Sequence, residues 1–238
     1  MKSSLYVVAA LLPLLSATAS GPQTEESLNT AVTIPVGYRY LLSKPEGYDQ
    51  DQTKKWPLLV FLHGAGERGD KLDALKRHGP PKLIEDGKKF PAIVASPQCP
   101  SGRVWNPHGI QKLVDELSST HRVDPRRIYL TGLSMGGFGT WETATEYPET
   151  FAAIIPICGG GGIRILALER VKHLPQWIFH GAKDNVVPAK FSQDMFNALK
   201  KLGAPVQLEI YPNADHDSWT ATYANDAVWE WLFAQQKK

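Results

Sequence analysis

Cysteine is nearly absent. The 238-residue chain has two, Cys99 and Cys158. A single possible pair is no disulfide framework, and a domain of this size does not need one. Each follows an apolar run, so both are expected to be small buried side chains with free thiols. Blocks of like charge are missing as well. Lysine and arginine total 26 against 24 acidic residues, a formal net charge of +2. That leaves no polyanion-binding surface and sets nucleic acid aside as a partner. There is no Asn-x-Ser/Thr acceptor, no linker, no repeat and no low-complexity tract. Nowhere does an apolar run reach the roughly 18 residues that a membrane-spanning helix requires, so no stable membrane association is expected.

What is present has an ordinary globular balance, 42% hydrophobic and 21% charged. The N-terminus has the pattern of an export signal: Lys2, an apolar stretch from Leu5 to Leu15 broken only by Pro13, then Ala17-Thr18-Ala19. Residues 1–19 are therefore read as a signal peptide cleaved after Ala19, and the product as exported. Residues 20–238 fit a single α/β domain. Residues 20–35 read as a polar leader into a first edge strand, and Tyr38 to Leu42 as a second strand.

Further along, strand and helix signals alternate. Trp56 to Leu62 is continuously apolar, as in a strand covered on both faces. Ala92 to Ser96 reads as a strand closed by Pro97, and Ile110, Leu113, Val114 and Leu117 have helical spacing. Then come strands at Ile128–Thr131, Phe151–Ile157, Trp177–Phe179 and Val206–Ile210. Helices are expected from Ser134 to about Tyr147, from Ala189 to Leu202 and, as one closing helix, from Tyr223 to Phe233. This alternation predicts a mostly parallel sheet flanked by helices, with its site at the carboxyl ends of the strands.

The informative stretch is Gly132-Leu133-Ser134-Met135-Gly136, set between a strand and a helix. A Gly-x-Ser-x-Gly in that setting is the pattern of a nucleophile elbow, a sharp turn that presents one serine. A serine hydroxyl needs a base, and the base needs a carboxylate, in the chain order Ser, Asp or Glu, His. Of seven histidines, His216 lies last in that order, after the final strand and before the closing helix. His180 and His63 end strands and are read as supporting their turns. His78, His108, His121 and His173 are read as surface residues. Asp184 is the candidate acid. Asp215 and Asp217 are read as loop hydrogen-bonders. The oxyanion donors are expected to be the Met135 N–H and one from His63-Gly64-Ala65-Gly66. Ala65 is the first choice, with Gly64 and Gly66 left open.

These residues together resemble the α/β-hydrolase superfamily from about Arg39 to Phe233. The chain looks like small secreted esterases of the polyhydroxybutyrate-depolymerase-like, feruloyl-esterase-like and dienelactone-hydrolase-like group, whose members are often labelled predicted peptidases. The resemblance rests on His63-Gly64-Ala65-Gly66-Glu67-Arg68-Gly69, on Gly132 to Gly137, on Asp184 with Val187-Pro188, and on His216 with Trp219. It implies an α/β-hydrolase fold and a serine carboxylesterase with a Ser134–His216–Asp184 triad and an acyl-enzyme. The alternatives are a serine peptidase of prolyl-oligopeptidase-like type or a catalytically silent binding module on the same fold. No metal or organic cofactor is needed. A small-molecule or polymer-attached ester is the implied substrate. The loop from Ser96 to Trp105 is similar to one lying by the active site in that group, so Trp105 is a candidate for substrate binding. Residues 163–176 are too few for the helical lid of many lipases, so no large lid domain is expected.

Overall fold

The computed structural model describes residues 26–237. The chain divides into two units at Pro35 and Val36. The described part of the first, residues 26–35, contains no strand. The described residues 26–35 of the expected leader thus form no edge strand, and the export signal lies outside the described residues. Pro35 brings no N–H to a ladder, which disfavours a strand at that point.

From Val36 the chain alternates as its pattern predicts. The strands are β1 (Arg39–Ser43), β2 (Trp56–Leu62), β3 (Ile93–Gln98), β4 (Val123–Leu133), β5 (Ala153–Ile157), β6 (Gln176–Gly181) and β7 (Val206–Tyr211). The α-helices are α1 (Gly79–Glu85), α2 (Pro107–Thr120), α3 (Met135–Glu146), α4 (Lys190–Lys201), α5 (Trp219–Ala224) and α6 (Asp226–Ala234). The strands form one sheet in the order β1-β3-β2-β4-β5-β6-β7. Only the β1–β3 pairing is antiparallel.

The apolar run of β2 shows why the sheet must be covered twice. Leu58, Val60 and Leu62 enter one core with Ile110 and Leu117 of α2, Trp141 of α3 and Leu199 of α4. Leu59 and Phe61 point the other way, into a core with Tyr223 of α5 and Val228, Trp229 and Leu232 of α6. Alternating side chains of one strand thus serve opposite layers, and both layers are buried.

Two boundaries differ from expectation. Strand β3 runs through Pro97 to Gln98. Its parallel pairing with β2 spans only Ile93–Ala95, and beyond that β1 alone is its partner, so the missing proline N–H breaks no ladder on the β2 side. The closing helix is two helices. Asn225 adopts an extended conformation, and its side chain accepts a bond from the Ala227 N–H, ending α5 and capping α6. Between β5 and β6 lies a 3₁₀ segment, Gly162–Val171, and no large lid. Cys99 and Cys158 are both buried and free.

The elbow depends on close backbone contact. A Cβ at Gly132 would lie 2.3 Å from the Gly136 carbonyl oxygen, and one at Gly136 would lie 1.9 Å from that of Leu62. Both obstacles are backbone and cannot rotate away. Gly136→Ala is therefore expected to lower stability by about 3 kcal/mol or more, read as a shift in the urea unfolding midpoint. A midpoint equal to that of the parent would contradict the packing described.

Candidate active site

Ser134 sits between β4 and α3 with φ 52° and ψ −117°. A left-handed φ on a non-glycine residue costs on the order of 1–3 kcal/mol and persists only where the surroundings enforce it. Here the Ser134 N–H donates to the Ile157 carbonyl of β5 at 3.0 Å and approaches the Cys158 Sγ at 3.3 Å. The serine is thus anchored to the neighbouring strand by its own backbone, and its side chain is left to project.

Two further strand ends meet it. His216, between β7 and α5, places its Nε2 2.9 Å from the Ser134 Oγ. Its Nδ1 lies 2.7 Å from Asp184 Oδ2. A carboxylate only accepts, so Nδ1 carries the proton and Nε2 is free to accept from the serine hydroxyl. The Asp184 side chain is fully buried and that of His216 is one-fifth exposed. Asp184 Oδ1 accepts the Val186 and Val187 N–H groups at 2.9 and 2.8 Å, and Oδ2 also accepts from His180 Nε2 at 3.1 Å. Burial pushes the Asp184 carboxyl up. The bonds from His216, Val187 and Val186 outweigh it and hold the group below its ordinary value.

The structure thus brings Ser134, His216 and Asp184 into one hydrogen-bonded line. Met135 is the first residue of α3, and Ala65 the first of a 3₁₀ turn, Ala65–Glu67. The first N–H groups of a helix have no acceptor within it. The Ala65 loop runs beside the serine: a Cβ built on Gly64 would be 3.7 Å from that of Ser134. Trp105 is 2% exposed. Its Nε1 donates to the His63 carbonyl, its ring packs against His63, and it lines the inner side of a cavity that also includes Ser134.

The remaining histidines divide by depth. His63 is buried, donating from Nδ1 to the Gly64 carbonyl at 2.6 Å and accepting the Cys99 N–H at Nε2. Asp215 accepts from the Asp217 N–H, and Asp217 from Thr220, so both serve their loop. His78 is not simply a surface residue. It accepts the Trp219 indole N–H at 3.3 Å, and the Trp219 ring in turn stands edge-on to the His216 ring, 5.3 Å between centroids. The buried Glu67 lies 3.8 Å from His78 Nε2. His78 has no local signal, because its partner Trp219 lies 141 residues away in the chain. Glu67 lies in the Gly-rich loop from His63 to Gly69, which does not show its burial beside His78. Among the described residues, no group of three or more His, Cys, Asp or Glu is placed to hold a metal ion.

Comparison with known proteins places the chain in a family. Residues 103–229 match the dienelactone hydrolase family. The chain belongs to that family. A crystal structure described as a thermostable esterase superposes with a TM-score of 0.71 at 34% identity, covering 83% of this chain and 59% of that one. Poly(3-hydroxyalkanoate) depolymerase C of Paucimonas lemoignei is 47% identical over 51 residues, 21% of this chain and 12% of its own length. The bifunctional acetylxylan esterase/xylanase of Neocallimastix patriciarum is 25% identical over 175 residues, 69% of this chain and 25% of its own. The chain therefore spans a quarter or less of these two curated relatives. With the sheet order above, the family places the molecule in the α/β-hydrolase fold.

The buried histidines set an acid limit on stability. Burial drives His63 down to about 4 and also lowers His180. Each binds fewer protons folded than unfolded, where its value is near 6.5, so stability falls as pH drops through that interval. His63 alone is expected to remove up to about 3 kcal/mol between pH 6.5 and 4. Asp184, lowered in the fold, adds its own loss only below about pH 4. Urea unfolding at pH 7 and pH 4.5 checks this; equal stability at the two values would contradict it.

Proposed function

We propose that the chain is a serine carboxylesterase working through an acyl-enzyme. The observation that carries this reading is the line of hydrogen bonds from the Ser134 Oγ through His216 to Asp184, 2.9 and 2.7 Å long. His216 Nε2 takes the serine proton as Oγ attacks the ester carbonyl. Asp184 keeps the Nδ1 proton in place and stabilises the imidazolium. The Met135 and Ala65 N–H groups receive the oxyanion, each such donor contributing about 3 kcal/mol to the transition state. His216 then gives its proton to the departing alkoxide, and the alcohol leaves. Water, deprotonated by His216, attacks the acyl-enzyme carbonyl. As the C–Oγ bond breaks and the acid leaves, His216 returns that proton to the Ser134 Oγ.

The names of the relatives support esters, including polymer-attached ones such as plant cell-wall acyl groups, as the substrate class; feruloyl esters follow from the resemblance alone. The absence of a large lid supports access from solvent. The signal segment at residues 1–19 supports export to the periplasm or the extracellular space.

The test is steady-state hydrolysis of short p-nitrophenyl esters beside a panel of peptide anilides. Ester turnover is expected to dominate. Ser134→Ala is expected to lower kcat on the esters by about 10⁴-fold or more. Anilide turnover with negligible ester turnover would replace the esterase reading with a peptidase, and a fully active Ser134→Ala variant would overturn the mechanism.

A further inference from the structure

One face of α3 continues the site beyond the serine. Ser134, Met135, Phe138, Gly139 and Glu142 recur at helical spacing and, with Val104 and Trp105, line a cavity of about 330 Å³. The helix carries Glu142 about 12 Å along its axis from Ser134. Between the two, the walls are apolar. Val104 is exposed, Phe138 is partly buried, and Trp105 packs on Gly139, where a Cβ would come within 2.8 Å of it.

Glu142 ends this channel. It is half-buried. Among the described residues its carboxylate has no hydrogen bond or ion pair. Arg164 is near enough to act on it electrostatically, but its guanidinium is bonded to Glu146 at 3.1 Å. A partly desolvated carboxylate without a partner is unfavourable unless a donor reaches it.

We propose that Glu142 is a specificity-determining residue, selecting acyl groups that have an apolar body and a hydroxyl at the far end and rejecting those that end in a carboxylate. The inference rests on the ester-hydrolase reading of Ser134. The cavity is assigned to the acyl side because it contains Ser134, to which the acyl carbon bonds, and Met135, whose N–H faces the acyl oxygen. His216, which protonates the leaving alcohol, does not line it.

The test compares kcat/KM on methyl cinnamate, methyl 4-hydroxycinnamate and the methyl ester of 4-carboxycinnamate, in the parent and in Glu142→Gln and Glu142→Leu. In the parent, the hydroxyl is expected to raise kcat/KM about tenfold, the effect of a hydrogen bond to a charged group, and the carboxylate to lower it by a similar factor. In Glu142→Leu both ratios are expected to approach one. Glu142→Gln, which keeps an acceptor without the charge, should retain part of the hydroxyl preference and lose the discrimination against the carboxylate. Each ratio is taken within one variant, so a change in the folded fraction cancels. Equal rates on all three esters in the parent, or ratios unchanged in Glu142→Leu, overturn the inference alone. A parent that hydrolyses none of these esters and no p-nitrophenyl ester overturns the ester-hydrolase reading, and this inference with it.

Discussion

The structure depends on a steric constraint: a strand, a turn and a helix packed so closely that two positions admit no side chain. The Leu62 carbonyl of β2 occupies the place of a Cβ on Gly136, and the Gly136 carbonyl occupies that of one on Gly132. Ser134, between them, takes a left-handed φ that it would not adopt alone. Neighbouring strands supply the enforcement, through the Ile157 carbonyl and the buried cores on each face of the sheet. The strain projects the hydroxyl from the turn and places the N-terminus of α3 directly behind it.

The carboxylate end of the hydrogen-bonded line shows the complementary strategy. Asp184 is removed from water, which by itself favours its neutral form. Three donors make up the difference, the Val186 and Val187 N–H groups and the His216 ring. The His180 Nε2 is a further neighbour, shared with the Val187 carbonyl. Charge is thereby fixed at one point in a medium where its field is weakly screened, as the imidazolium of the proposed mechanism would require at His216. His180 was expected to support its turn. It does so through a direct bond to the carboxylate that also holds His216.

Much of this was legible locally. The continuous apolar run of β2 announced a strand covered on both sides, and the glycines around Ser134 announced the elbow. The order Ser134, Asp184, His216 marked which of seven histidines to choose. Other features depend on tertiary context, which no local pattern carries. Pro97 looked like a strand terminator, yet it falls where β3 has outrun its β2 partner. Asn225 interrupts an unbroken apolar helical pattern by capping the next helix with its own side chain. His78 meets Trp219 across 141 residues of chain, a separation that no local pattern encodes. Glu142 could have been found, since eight residues after Ser134 is close to two helical turns and so the same face. Its importance becomes visible only once Trp105, Val104 and Phe138 are seen to make it the end of a channel.

On the proposed mechanism, this packing makes Ser134 a nucleophile under the control of His216. The most direct measurement is reaction with a fluorophosphonate, followed by peptide mass spectrometry. One adduct per chain is expected, located on Ser134 and formed much more slowly in Asp184→Asn, where the histidine loses its fixed tautomer. Modification at another residue, or none under conditions in which the protein is folded, would contradict it.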